Sequence, residues 1–464
     1  MWEEPLRNRP KLTTRAAHRL LLVDIIGMEP NAFAPSHGRR RRFRRTADLT
    51  ALRLGRAILA YLALVIAIIT LAPFRFSLEA MHGLANFTNP RDLVMNVLLF
   101  VPFGFVHQLT RPRGARLAWG SILFLSLALS ATVEALQIFT VDRYPSLLDL
   151  ATNTIGGLLG AWFYAILEPE MEGESTVRTL ALELPLMGLV YLLVPLAWLI
   201  GLGNGSDLSR RLLILPLAAM AGAIIGTVDA AYLTHRHGRR RRGWGWGIGM
   251  SLGWALVAIV PATRADLPVS VAAVALMLGL LFAQAILTQQ RIQEHRRRFE
   301  LPTLRLVMPL FVLYLLLSSL WPLSGFTSSF SAMLALRFDG NAADAFSMMY
   351  FLLEHVGAFT LVGYLTAEYR GRDTEGFAPA LPSVLTISLL LALGIQLARG
   401  FHPALGASLT LFLLSPLAAI FGGYVYVLQR AHVRALVERR DLEARVASMH
   451  TPTFVMPGQA PVDD

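Results

Sequence analysis

Carboxylate, amide and guanidinium side chains come close together at one point of a chain that is otherwise strongly apolar. Glu134 and Gln137 are three residues apart, and Asp149 and Asn153 are four apart, so each pair shares one face of a helix. Arg143 lies in the short connection between the two pairs. A guanidinium can hold a phosphate or carboxylate, while carboxylates and amides accept or donate hydrogen bonds around it. We therefore predict a binding site for a polar group with the following members: Asn96, Glu134, Gln137, Arg143, Asp149 and Asn153.

Each member of this set also has a purely structural interpretation. The spacing Ser146-x-x-Asp149 fits a capping box, in which Asp149 only caps the start of a helix. Glu134 and Arg143 could form an ion pair that pins the hairpin. The side-chain amides of Gln137 and Asn153 could form hydrogen bonds between helices. These alternatives stay open at the level of the sequence.

A second pair of polar residues, Glu354 and His355, lies within a later apolar segment. Ionisable groups inside a membrane are costly and are candidates for function. Because the two residues are adjacent, they point to different faces of a helix. No other His or carboxylate has ligand spacing with His355, and the chain has no cysteine, so we predict neither a metal site nor a cofactor.

The composition is that of a membrane protein. Of 464 residues, 55% are hydrophobic and 16% are charged, against about 25% charged in soluble domains. The mean hydropathy is +0.52. Apolar runs of about 20 residues recur along the chain, which matches the thickness of the hydrocarbon core. We predict an all-α polytopic bundle of about twelve spans, located at roughly 57–73, 93–109, 117–139, 147–166, 180–203, 211–233, 245–261, 267–287, 305–323, 346–366, 381–398 and 405–428.

Arginine gives the chain its formal net charge of +11 and predicts its orientation. Arg-rich stretches occur in both tails and in the second-to-third, sixth-to-seventh, eighth-to-ninth and tenth-to-eleventh connections, which the positive-inside rule assigns to the cytoplasm. Both termini are then cytoplasmic, and the hairpin that carries Arg143 lies on the outer side. The basic groups are not interleaved with aromatic residues, so we predict no nucleic-acid partner.

Three pieces of sequence recur in the same order and predict an internal repeat. They pair 70–77 with 319–326, 98–109 with 352–365, and 134–162 with 396–424. The repeat predicts two four-span units that flank a middle group of four spans, with these bounds: tail 1–56, first unit 57–166, middle group 167–304, second unit 305–428 and tail 429–464. The second unit is a degenerate copy, because His402, Ser408 and Phe412 stand where the sequence comparison aligns Arg143, Asp149 and Asn153.

The first unit resembles the VanZ-like family of membrane proteins. The residues that carry the resemblance are Asn96-x-x-x-Phe100-x-Pro102-x-Gly104, Glu134-x-x-Gln137, Arg143, Asp149 and Asn153-x-x-Gly156. The family's namesake accompanies vancomycin-resistance clusters and is associated with low-level teicoplanin resistance. The resemblance implies a bacterial inner-membrane protein connected with the cell envelope.

Three functional hypotheses follow. In the first, the outer site binds a polar envelope component, with membrane lipids, a lipid-linked cell-wall precursor or a glycopeptide as partners. In the second, the protein is a transporter or lipid flippase, for which Glu354 and His355 are the candidates nearest the midplane. In the third, it is an enzyme with Glu134 or Asp149 as general base. No set of nucleophile, base and orienting residue is visible, so catalysis is the least favoured hypothesis.

Overall fold

The computed structural model describes residues 37–80, 90–111, 119–141, 144–171, 174–203, 208–235, 245–293, 301–333, 342–371 and 376–450. Nearly all of these residues are helical. This is expected of apolar segments in a bilayer, because a helix satisfies its backbone hydrogen bonds within itself.

Four helices form the first unit. Their bounds are α1 His37–Leu71, α2 Pro90–Leu109, α3 Trp119–Gln137 and α4 Leu147–Met171. A 3-10 turn, Leu78–Ala80, follows α1. The first helix begins inside the range predicted as a tail, and its apolar part starts at Leu49.

The middle group follows with five helical segments and two irregular turns. The bounds are α5 Glu174–Leu202, a 3-10 helix Leu208–Leu213, α6 Ile214–His235, α7 Gly245–Trp254, a π-helical turn Ala255–Ile259, α8 Val260–Thr263 and α9 Leu267–Gln293. Helix α6 lies at the centre of the core and packs on α5, α9 and α10.

The break between α7 and α8 has an identifiable cause in Pro261. Proline has no N–H to donate, so the carbonyl of Val257 one turn earlier loses its helical partner. The indole Nε1 of Trp198 donates to that carbonyl at 2.6 Å. The freed carbonyl therefore stays hydrogen-bonded on an exposed face of the helix, as a membrane environment requires.

The last part of the chain contains four helices and two very short strands. The bounds are α10 Leu301–Leu320, β1 Ala332–Met333, α11 Ala342–Gly371, α12 Leu381–Gly400, β2 Ala407–Ser408 and α13 Leu409–His450. Strands β1 and β2 pair in parallel. Helix α13 returns to pack on α1, where Phe421 stacks on Tyr61 with ring centroids 5.3 Å apart.

The predicted all-α polytopic bundle is confirmed. In the part of the chain that the structure describes, eleven helices are long and apolar enough to cross a membrane, and a twelfth apolar stretch, Gly188–Leu202, is shorter. Most of the predicted spans agree with these helices to within a few residues. The predicted span 180–203 corresponds to the end of α5.

Candidate functional site

The connection between α3 and α4 is held by the carboxylate of Glu134. The amide of Ser146 donates to Glu134 Oε2 at 2.7 Å. The Ser146 hydroxyl in turn accepts from the amides of Leu148 and Asp149, at 3.2 and 3.4 Å, and so caps the start of α4. Ser146 is therefore the N-cap of α4, whereas the structural alternative drawn from the sequence assigned the capping role to Asp149. In a capping box, the side chain of Asp149 would accept a hydrogen bond from the amide of Ser146. Here the carboxylate of Glu134 on α3 accepts that hydrogen bond.

Two amide side chains tie the same end of the hairpin to its surroundings. Gln137 Nε2 donates to the carbonyl of Thr70 at the end of α1, at 3.1 Å. Asn153 Nδ2 donates to the hydroxyl of Ser130 on α3, at 2.9 Å. The interhelical hydrogen bonds that the sequence suggested for both residues are present. We call Glu134, Gln137 and Asn153 the hairpin site.

The hairpin site keeps two buried acceptor oxygens without a protein partner. Gln137 is 8% exposed and Asn153 is 3% exposed. Each uses its amide nitrogen as described above, yet neither Gln137 Oε1 nor Asn153 Oδ1 accepts a hydrogen bond from any described residue. A buried acceptor left unpaired costs about 1–3 kcal/mol. The hairpin site therefore contains two buried acceptor oxygens for which the described residues supply no hydrogen-bond donor.

The charge at the hairpin site is negative over the described residues. Glu134 is half-buried, and Asp149 on α4, which has an interaction partner of its own, is a second acidic residue near it. No cationic side chain among the described residues pairs with Glu134. An arrangement of this kind can attract a donor that carries positive charge.

Two predicted members are not brought into these contacts. Arg143 lies outside the described residues, so its ion pair with Glu134 and its role in holding an anion stay predictions. Asn96 is half-buried on α2, next to Val97, whose carbonyl faces Gly156 on α4. Asn96 makes no hydrogen bond to the hairpin site within the described part of the chain.

The hairpin between α12 and α13 ends in the same pattern of hydrogen bonds. The amide of Ser408 donates to Gln396 Oε1 at 2.8 Å, and the Ser408 hydroxyl accepts from the amide of Leu411 at 3.4 Å. These bonds put Gln396 in the place of Glu134 and Ser408 in the place of Ser146.

The alignment taken from sequence alone, which matched Ser408 with Asp149 and Phe412 with Asn153, is therefore wrong by three residues. The structural correspondence follows the distance from the helix cap, and it puts Ser415 in the place of Asn153.

Glu354 and His355 are both buried, and both are engaged. Glu354 is 3% exposed; it forms an ion pair with Arg210 and accepts a hydrogen bond from the Tyr314 hydroxyl at 2.8 Å. His355 is 4% exposed, and its Nε2 lies 2.9 Å from the Ser415 hydroxyl. The two residues point to different neighbours, as predicted. Within the described residues no cluster of three His or acidic side chains is suited to a metal ion.

Sequence reasoning missed Arg210 as a partner of Glu354. Arg210 and Arg211 lie in the 3-10 helix that precedes α6, on the side where the loop-charge rule predicts few arginines. Each has a carboxylate partner: Glu354 for Arg210, and Asp266 at 3.0 Å for Arg211. The signal that could have found them is two arginines at the predicted outer end of a span, where a counter-charge is needed.

Comparison with known proteins identifies the region that contains the hairpin site. Residues 42–168 match the family model described as VanZ/LLP1. A stretch of 93 residues is 29% identical to Protein VanZ of Enterococcus faecium. The alignment covers 20% of this chain and 55% of that relative, so it spans about half of the relative's length. No solved structure matches the chain.

Proposed function

We propose that the protein binds a polar headgroup of the bacterial cell envelope at the hairpin site, and the match of residues 42–168 to the VanZ/LLP1 family model supports this proposal. The ligand is an envelope lipid or a lipid-linked cell-wall precursor. The protein is a multi-pass protein of the inner membrane, and an envelope role like that of the glycopeptide-resistance relative follows from the resemblance.

One observation carries this proposal. The oxygens Gln137 Oε1 and Asn153 Oδ1 are buried and without partners among the described residues, in the hairpin that also carries the half-buried Glu134. Buried polar groups in native proteins are nearly always hydrogen-bonded, to protein, water or ligand. A headgroup with hydrogen-bond donors supplies what this site lacks.

The proposed orientation makes the site accessible from outside the cell. Arg-rich stretches, such as 236–242 and 296–298, connect the ends of helices opposite to the end that carries the hairpin site. Under the positive-inside rule those stretches are cytoplasmic. Both termini are then cytoplasmic, and the hairpin site faces the outer leaflet, where envelope components are exposed.

The proposal includes an internal repeat of residues 57–166 in residues 305–428. The shared hydrogen bonds of the two hairpins support it, and so does the packing of the helices. A Cβ added at Gly104 would overlap the carbonyl oxygen of Gly157, which shows how closely α2 approaches α4. A Cβ at Gly363 on α11 would overlap the carbonyl oxygen of Ala419 on α13 in the same way. Small residues of this kind let helices approach closely in membranes.

Transport or lipid flipping is the alternative function, and it rests on Glu354 and His355. The contacts of Glu354 with Arg210 and Tyr314 argue against a free carboxylate that a substrate could reach. They favour a structural role, in which Glu354 joins the middle group to the second unit. Substrate movement in vesicles that disappears in Glu354→Gln would favour transport instead.

A complementation experiment tests the proposal. A strain that lacks the protein receives wild type, Glu134→Gln, Asn153→Leu or Gln108→Leu, at matched membrane abundance. Gln108 is the control, because it is a buried amide with an unpartnered oxygen at the opposite end of α2. The readout is sensitivity to glycopeptides and to general envelope stress.

We expect wild type and Gln108→Leu to restore resistance, while Glu134→Gln and Asn153→Leu do not. Equal rescue by all four proteins would mean that the hairpin site has no part in an envelope function. Loss of rescue in Gln108→Leu as well would show that any buried amide in the unit is needed for folding, and it would remove the support that this assay gives to the site.

A further inference from the structure

The second hairpin, between α12 and α13, encloses the cationic side chain of Arg399 at its end. Arg399 takes the place of Gln137 there: Arg399 Nη1 donates to the carbonyl of Ser319 at 2.9 Å, as Gln137 Nε2 donates to the carbonyl of Thr70 at 3.1 Å. The two acceptors end the equivalent helices, α10 and α1. A cation in one hairpin thus corresponds to a neutral amide in the other.

The guanidinium of Arg399 is enclosed by acceptors that carry no formal charge. Besides Ser319, it donates to the carbonyls of Gly406 at 3.3 Å and Leu405 at 3.2 Å. It lies over the ring of Phe351, 5.0 Å from the centroid. Arg399 is 4% exposed. The end of this hairpin therefore holds a buried cation by backbone carbonyls and an aromatic face.

The first hairpin has the opposite balance of charge. Its amide Gln137 stands where the cation Arg399 stands, and its carboxylate Glu134 stands where the neutral Gln396 stands. At these two positions the first hairpin has an acidic and a neutral side chain, and the second hairpin has a neutral and a cationic side chain. The hairpin site also keeps acceptor oxygens open at Gln137 and Asn153.

We propose that the group bound at the hairpin site is a cation, a primary ammonium carried by an envelope component, which supplies from outside what Arg399 supplies within the second unit. This inference rests on the proposed function and names its ligand class. A primary ammonium has three N–H donors, so it can pair with the carboxylate of Glu134 and also donate to an open acceptor oxygen of the hairpin site. An ethanolamine phospholipid carries this group in the membrane itself, and a soluble amine carries it in free form.

Lipid retention measured by native mass spectrometry tests the proposal. The full-length protein is reconstituted in vesicles with equal amounts of phosphatidylethanolamine, phosphatidylcholine and phosphatidylglycerol, then released, and the retained lipids are identified. Phosphatidylcholine keeps the positive charge but has no N–H donor, and phosphatidylglycerol has no cation. A parallel sample contains free ethanolamine as competitor, which separates a requirement for the lipid from a requirement for the amine alone.

The decisive variants exchange residues between the two hairpins. Gln137→Arg gives the first hairpin its own cation, and the second hairpin shows that the fold accepts arginine at this point. Glu134→Gln replaces the carboxylate by the amide that the second hairpin carries at the equivalent position, Gln396. Charge-assisted hydrogen bonds are stronger than neutral ones, so we expect either change to lower the preference for phosphatidylethanolamine over phosphatidylglycerol by about tenfold or more. Gln108→Arg, at the other end of α2, is the matched control and should keep the preference.

Each outcome has a defined meaning. Preferential retention of phosphatidylethanolamine, lost in Gln137→Arg and kept in Gln108→Arg, supports the proposal. Displacement of the lipid by millimolar ethanolamine would mean that the amine alone is the ligand, which supports the same chemistry from the other source. Equal retention of the three lipids would overturn the proposal that the ligand is an ammonium group. If that retention is lower when Asn153 is replaced, the proposal that the site binds a headgroup is still supported. No retained lipid in wild type would overturn both proposals.

Arg143 needs its own arm, because it lies in the loop of the first hairpin and carries a cationic side chain. The ammonium proposal predicts that Arg143→Ala keeps the preference for phosphatidylethanolamine. If Arg143→Ala instead creates a preference that wild type lacks, Arg143 fills the place of Arg399, and the proposal is overturned.

Discussion

The ion pair between Arg210 and Glu354 should contribute strongly to stability, and removing one partner measures it. Glu354 is buried, and the side chain of Arg210 is 15% exposed. The same carboxylate accepts a hydrogen bond from the hydroxyl of Tyr314, which is fully buried. The substitution Glu354→Leu therefore leaves a guanidinium and a hydroxyl without their partner while it keeps the side-chain volume similar.

The expected loss can be worked from these contacts. Breaking a buried pair by removing one charge costs about 3–5 kcal/mol. The unpartnered hydroxyl of Tyr314 costs about 1–3 kcal/mol. The two losses share one carboxylate and do not simply add, so we expect the free energy of unfolding to fall by about 4 kcal/mol in Glu354→Leu.

Unfolding in mixed detergent micelles, followed by tryptophan fluorescence, is a suitable assay because the chain has 8 tryptophans. The double variant Arg210→Met/Glu354→Leu should recover most of the loss, since replacing both members of a buried pair by apolar residues is often neutral. Arg211→Met is the comparison. Its partner Asp266 is 29% exposed, so the loss there should be about 1 kcal/mol or less.

Two results would refute this reasoning. If Glu354→Leu costs no more than Arg211→Met, the carboxylate is not the buried structural group that its contacts indicate. If the double variant is as unstable as Glu354→Leu, the loss does not come from the uncompensated charge of Arg210.

Two further predictions use the same unfolding assay. Gly104→Ala should destabilise the protein by about 1–3 kcal/mol, because the added methyl group would overlap the carbonyl of Gly157, whereas Gly279→Ala meets open space and should cost nothing; equal effects would contradict the close packing of α2 on α4. Ser146→Ala should cost about 1 kcal/mol through loss of the cap of α4, and Ser408→Ala a similar amount at α13. A loss confined to one hairpin would contradict their equivalence.

The spans were predictable because the thickness of the bilayer sets the length of every apolar run. The predicted segment 147–166 corresponds to Leu147–Leu167, and 381–398 corresponds to Leu381–Gly400. The start of α1 was less well predicted. The helix continues through the Arg-rich sequence from His37, since helical structure does not have to end where the apolar run ends.

The candidate site was only partly predictable. The spacing of Glu134 with Gln137 placed both residues at the end of one helix, and this agrees with the structure. The partner of Glu134 was missed, because it is the backbone amide of Ser146, and a backbone amide leaves no mark in a side-chain pattern. The contact of Arg210 with Glu354 joins residues 144 positions apart, a pairing that a single sequence does not reveal.

A high-resolution cryo-EM map of the protein purified with its native lipids tests the central claim most directly. We predict headgroup density at the hairpin site, with a polar atom within hydrogen-bond distance of Gln137 Oε1 and Asn153 Oδ1, and the loss of that density in Glu134→Gln. A map in which both oxygens are hydrogen-bonded only to protein side chains, with no density beside Glu134, would contradict the claim.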